Sequence, residues 1–147
     1  MTEQPTDHPR TAYGLGLGVL AGLAFGTVYG LSAELFGLTF GLPVVGLVGG
    51  WIVGTTVAYG AWGESEHTPH RTVRGAAVAL SSAAWGVGLV VAYVVSQALI
   101  PQASTGLLER LSVAGFFTYL FGTFDFVLVI HILTLALLAV MAWRAAR

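Results

Sequence analysis

The first apolar segment carries a glycine at every fourth position, and this spacing constrains the fold more than any other feature of the chain. The five glycines are Gly14, Gly18, Gly22, Gly26 and Gly30. A step of four residues turns a helix by about 400°, so these positions form one stripe that drifts slowly around a single face. In water, each glycine would destabilise such a helix by roughly 1 kcal/mol relative to alanine. In lipid, the stripe allows a second helix to approach to backbone contact.

Two later segments carry small residues at the same spacing. They are Gly46, Gly50, Gly54 and Ala58 in the second segment, and Ala84, Gly88, Ala92 and Ser96 in the third. Helices with small residues along one face pack closely in lipid. We therefore expect the first two helices to cross at their glycine faces, with the small face of the third helix against them.

Charged residues are scarce and clustered, which is typical of a membrane protein. Of the 147 residues, 56% are apolar and 9% are charged, and the mean hydropathy is +0.82. A soluble domain carries about 25% charged residues. The charges fall in a few short stretches, which leaves apolar runs of around 20 residues, the length that crosses a ~30 Å hydrocarbon core. The predicted fold class is an all-α integral membrane protein, because barrel strands would alternate polar and apolar residues.

The composition also argues against several partners and cofactors. The chain has no cysteine, which excludes disulfides and thiolate metal sites, and its net charge of −1 offers nucleic acid no basic surface. His67 and His70, with Glu64 and Glu66, could be read as a metal cluster, but the two histidines are not a helical i, i+4 pair. No serine lies in a GxSxG context. We predict no metal, no cofactor and no enzymatic activity.

Four spans in an antiparallel bundle are predicted from the apolar runs, at about 11–33, 42–62, 73–99 and 124–143. Residues 1–10 are expected to form a disordered cytoplasmic tail, and residues 11–147 a single transmembrane domain. Residues 104–121 are predicted to form an interfacial or shallow re-entrant helix before the last span. The alternative for these residues is an extra crossing.

The arginines favour four crossings over five. With four crossings, one side of the membrane holds five of the six arginines, namely Arg10, Arg71, Arg74, Arg144 and Arg147. Only Arg110 lies opposite, whereas five crossings would divide the arginines three and three. Because cytoplasmic loops are enriched in arginine, both termini are predicted to be cytoplasmic and the protein to lie in the cell membrane. Aromatic residues are concentrated in the stretch 116–126, which fits an outer interfacial position for the predicted helix 104–121.

His131 is the one ionisable residue predicted to lie well inside a span, about 8 to 10 Å below the outer boundary. Thr27 and Tyr93 are expected at similar depth. A functional interpretation makes His131 a group that handles protons or contacts a ligand. The structural interpretation is a neutral imidazole bonded to Tyr93, to Thr27 or to a carbonyl group. The second is favoured, because proton relays usually contain several ionisable groups in file.

The predicted span ends carry the remaining candidate residues. Glu34 and Asp125 fall near the outer edge, where carboxylates can attract cations. The favoured interpretation is that Asp125 caps the last helix and that Glu34 simply ends the first. Arg71 and Arg74 begin the third span and are predicted to contact lipid headgroups.

Two hypotheses for function remain open. The first is a small accessory or assembly subunit that associates with itself or with a larger membrane complex, because the small-residue stripes exceed what a single bundle needs. The alternative is a small channel or carrier that uses the layer around His131 and the carboxylates Glu34 and Asp125. In both, the lipid bilayer is the immediate partner.

Overall fold

The computed structural model describes residues 10–37, 39–63, 71–100, 106–122 and 126–146. Within these ranges all regular structure is helical and no strand occurs. The helices are α1 (Thr11–Leu35), α2 (Leu42–Trp62), α3 (Arg71–Ala98), α4 (Leu107–Arg110), α5 (Val113–Gly122) and α6 (Phe126–Ala145), with a 3₁₀ turn at Thr39–Gly41 before α2. Three predicted features lie outside the described residues, namely residues 1–9 of the predicted tail 1–10, the cluster of Glu64, Glu66, His67 and His70, and the cap Asp125.

Among the described residues, four helices are long and apolar enough to cross a membrane, as many as the predicted apolar segments. They are Ala12–Leu35, Leu42–Trp62, Arg71–Ala98 and Val127–Ala145, with mean hydropathies between 1.6 and 2.1. Local sequence explains the bounds of the second. Proline stands in its first turn, where a missing N–H leaves no bond unmade. Gly63, with φ of 72°, follows its last residue in a conformation that favours glycine.

The four long helices form two closely packed pairs, α1 with α3 and α2 with α6. α1 also contacts α2, and α3 also contacts both α2 and α6. One end of the assembly, the arginine end, brings Arg10 beside Ala61 and places the Arg74 guanidinium over the Trp143 ring. The opposite end, the α5 end, holds Glu34 and helix α5. The core at the arginine end is made of alanine and valine, whereas larger side chains fill the core toward the α5 end.

The glycine stripe of α1 is divided between two neighbours. At Gly14 an added Cβ would lie 2.7 Å from the Val57 carbonyl oxygen of α2 and 2.9 Å from the Ala61 nitrogen. At Gly26 and Gly30 an added Cβ would overlap carbonyl oxygens of α3. α1 therefore meets α2 at the arginine end and α3 over the rest of its length.

The glycine face of α2 lies against α6, not against α1. Added Cβ atoms at Gly46 and Gly54 would lie 2.6 Å from Thr134 Cγ2 and 2.7 Å from the Ala142 carbonyl oxygen. Gly50 is in contact with the Leu138 carbonyl oxygen. The expectation that α1 and α2 cross at their glycine faces is therefore wrong. A face of small residues indicates that a helix approaches there, but it carries no side chain that selects which helix.

Residues 107–122 form two short helices, where the sequence analysis expected one helix over 104–121. The break falls at Leu111, whose backbone is extended, and at Ser112. The Ser112 hydroxyl accepts the Gly115 N–H at 2.9 Å and so caps the start of α5. α5 has 10 residues and a length of about 15 Å, half of what a crossing needs.

We expect Gly14→Ala to destabilise the protein by about 1–3 kcal/mol, because its methyl group would overlap backbone atoms of α2. Gly16→Ala is the matched control, since an added Cβ there meets no described atom within 4 Å. It should be neutral or stabilising by up to about 1 kcal/mol. Thermal unfolding in detergent measures both, and equal unfolding temperatures for the two variants would contradict the close approach of α1 and α2.

Candidate functional site

His131 lies in the interior of the bundle and is bonded to a tyrosine from another helix. Only 9% of its surface is exposed, and its Nδ1 lies 2.7 Å from the hydroxyl oxygen of Tyr29, which is fully buried. This hydrogen bond joins α6 to α1. Nearby, the Thr134 hydroxyl donates to the Ile130 carbonyl oxygen of its own helix at 2.7 Å, and the buried indole nitrogen of Trp85 on α3 has no hydrogen-bond partner among the described residues.

The two partners expected for His131 are placed elsewhere. Thr27 is exposed, and its hydroxyl donates to the Leu23 carbonyl oxygen of its own helix at 2.9 Å. Tyr93 is buried, and its hydroxyl lies 3.3 Å from the carbonyl oxygens of Arg110 and Ser112. Tyr93 therefore holds the segment before α5 against α3 and does not contact the imidazole.

Depth along the helices, which predicted Thr27 and Tyr93 as partners of His131, does not identify Tyr29. Contact also depends on the direction in which each helix face points. Tyr29 follows Gly26 by three residues, which places it on the packed face of α1. Thr27 is only one residue from Gly26, a turn of about 100°, and lies away from that face. The spacing from the glycine stripe was the signal that could have found Tyr29.

Glu34 occupies the α5 end of α1, where it is half-buried. Its carboxylate accepts a hydrogen bond from the Tyr119 hydroxyl of α5. The pKa of Tyr119 is raised above its ordinary value, mainly because the phenol is removed from water and secondly because Glu34 is adjacent. The phenol therefore remains protonated and acts as the donor. No local pattern announced this pair, because 85 residues separate the two side chains in the chain.

A cavity of about 110 Å³ separates Glu34 and Tyr119 from His131. Its remaining walls are the apolar side chains of Ala33, Leu42, Leu89, Leu120 and Val127. A water molecule occupies about 30 Å³ in the liquid, so this volume admits a small polar molecule or a few waters. Among the described lining residues there is one carboxylate and no arginine or lysine.

The arginines predicted to contact lipid headgroups have different surroundings. Arg71 is exposed. Arg74 is half-buried, with its guanidinium carbon 5.3 Å from the centroid of the Trp143 ring, a cation–π distance. Arg110, near the α5 end, donates to the Gln97 carbonyl oxygen at 2.5 Å and so fastens α4 to α3.

No group of three or more histidine, cysteine, aspartate or glutamate side chains suited to a metal ion occurs in the described part of the chain. Comparison of the chain with protein-family models, with curated proteins and with solved structures gives no match. The chemistry of the site must therefore be argued from its own residues.

We expect Tyr29→Phe to destabilise the protein by about 0.5–2 kcal/mol, because it leaves His131 Nδ1 buried without its partner. Tyr13→Phe is the control, since Tyr13 is 61% exposed. A double-mutant cycle with His131→Leu, followed by unfolding in detergent, isolates the coupling between the two side chains. Strictly additive effects would contradict a direct hydrogen bond.

Tyr119→Phe should loosen α5 without unfolding the four long helices, because it removes the bond to Glu34 while keeping the ring. Hydrogen exchange of the α5 amides should become faster, and exchange in α2 should stay unchanged. Tyr59→Phe, at a tyrosine that is 58% exposed on α2, is the control. Unchanged exchange in α5 would show that the bond does not hold the helix in place.

Proposed function

We propose that this chain is an integral membrane protein of the cell membrane that works by helix–helix association, forming an oligomer with copies of itself. In this proposal the four long helices cross the bilayer in alternating directions, both termini are cytoplasmic, and α5 lies in the outer interface. The lengths and hydropathies of the four helices support the crossings. The gathering of Arg10 and Arg74 at one end supports the orientation.

The outward side of α3 is the observation that carries the proposal. Gly75, Ala79, Ala83 and Gly86 follow one another along this side, and we call them the α3 outer face. Added Cβ atoms at Gly75 and Gly86 would meet no described atom within 4 Å, and Ala79 and Ala83 are exposed. Small residues on a lipid-facing side remove the side chains that keep a second helix at a distance.

The outward side of α1 provides the contrast. Its exposed residues are mostly large aliphatic side chains, including Val19, Leu20, Leu23 and Val28. Such side chains are well suited to contact with lipid, and they keep the backbone of a neighbouring helix at a distance. The α3 outer face is therefore the better surface for a neighbouring helix.

The glycines that first suggested association serve another purpose. Gly22 contacts Ala84, and Gly50 contacts Leu138, both within the same chain. Substitutions there would disturb the monomer itself. A test of association must use residues that the monomer leaves open.

A copy of the same chain is the simplest partner for the α3 outer face. A two-fold axis would place this face of one copy against the same face of the other, so that the dimer would leave neither face exposed. A shallow groove of about 90 Å³ runs beside the face, between α1 and α3, with Leu23, Leu80 and Ala83 among its lining residues. A branched side chain of the partner would fit there.

We expect Gly86→Leu to abolish self-association, because the new side chain would stand between the two α3 helices. Gly16→Leu is the matched control, as the same substitution at an open glycine of α1. Light scattering coupled to size-exclusion chromatography in mild detergent reports the mass of each protein. A monomeric wild type, or the same mass for both variants, would refute the proposal.

Crosslinking in membranes gives an independent measurement. The chain has no cysteine, so Ala83→Cys introduces a single thiol on the α3 outer face. Oxidation should produce a disulfide-linked dimer, whereas Leu20→Cys, on the exposed side of α1, should give none. Equal dimer yields from the two variants would show that α3 is not the interface.

A further inference from the structure

The cavity beneath α5 is separate from the α3 outer face and has a chemistry of its own. At one end stands the carboxylate of Glu34, which the Tyr119 hydroxyl holds in position. At the other end stands His131, whose Nδ1 is occupied by Tyr29, so that Nε2 is the ring nitrogen left to serve a ligand. The space between them is about 110 Å³ and has apolar side walls.

The balance of charge in the lining favours a positively charged ligand. The half-buried Glu34 carboxylate is the one acidic group among the described lining residues, which include neither arginine nor lysine. Arg110 lies near this end but is engaged with the Gln97 carbonyl oxygen. A small cation in the cavity would offset the negative charge of Glu34.

The available ligand atoms favour an ammonium group over a metal ion. Hard metal cations require six or more oxygen ligands, and the described lining residues offer one carboxylate, one phenol and one imidazole. An ammonium group instead donates N–H bonds, which the Glu34 carboxylate can accept, as can His131 Nε2 in the tautomer whose Nδ1–H donates to the Tyr29 hydroxyl. The alkyl part of a short primary amine would rest on Leu42, Leu89 and Leu120.

We infer that the cavity bounded by Glu34, Tyr119 and His131 binds a small primary ammonium ion, of the size of ammonium or methylammonium. Its volume excludes long-chain amines. Its acceptors discriminate against tetramethylammonium, which carries the same charge but has no N–H to donate.

The test uses the full chain in lipid nanodiscs, titrated with methylammonium chloride and followed by calorimetry. Sodium chloride and tetramethylammonium chloride at equal concentration are the comparison salts. In protein labelled with ¹⁵N-histidine, methylammonium should shift the Nε2 signal of His131, which is assigned by its absence in His131→Leu. Neither comparison salt should shift it.

Two variants test the charge and the space that the proposed site requires. Glu34→Gln keeps a group that can accept from Tyr119 but removes the charge, and it should weaken binding at least about tenfold. Glu109→Gln, at an exposed glutamate of α4, is the control for net charge and should bind as the wild type does. Ala33→Leu fills the cavity and leaves its polar groups unchanged, so it should abolish binding even if Glu34→Gln proves unstable.

Equal heats for sodium and methylammonium would overturn the inference, as would wild-type binding by both Glu34→Gln and Ala33→Leu. A His131 signal that methylammonium leaves in place would also overturn it. These outcomes are independent of association, because none of the substituted residues belongs to the α3 outer face. Gly86→Leu should bind methylammonium as the wild type does.

Discussion

Direct contact between helix backbones, which glycine permits, is the constraint on which the rest of this structure depends. Gly26 and Gly30 bring α1 onto the carbonyl groups of α3, and Gly50 brings α2 onto those of α6. Between helices in a lipid bilayer the hydrophobic effect contributes little, and close van der Waals contact is a main source of their association. The buried residues of the core at the arginine end are alanine and valine, with Trp62 and Leu80 packed against them.

Toward the α5 end the core contains larger side chains and hydrogen bonds between helices. There Tyr29 and His131 join α1 to α6, and Tyr119 joins α5 to Glu34. Polar groups removed from water must find partners within the protein, and a bond between helices satisfies both groups at once. The cavity lies at this end, and Glu34, Tyr119 and His131, which take part in these bonds, are among the residues that line the proposed ammonium site.

The two proposals use different surfaces of the molecule. The α3 outer face consists of small residues turned away from the bundle. The cavity lies within the bundle, beneath α5. Association through the first would leave the second accessible from the α5 end. The Leu111–Ser112 break gives α5 its separate position above the cavity, and the Ser112 cap stabilises that break.

The sequence by itself determined the number and approximate bounds of the long helices, because apolar length and proline or glycine at the ends are local properties. It also indicated which face of α1 is packed, since a four-residue glycine period marks one side of a helix. Only the tertiary structure decided that α3 and α6 are the principal neighbours of α1 and α2, because glycine has no side chain to specify a partner. The pairing of His131 with Tyr29 was decided there too, since it depends on how two helices, 102 residues apart at these side chains, are rotated about their axes.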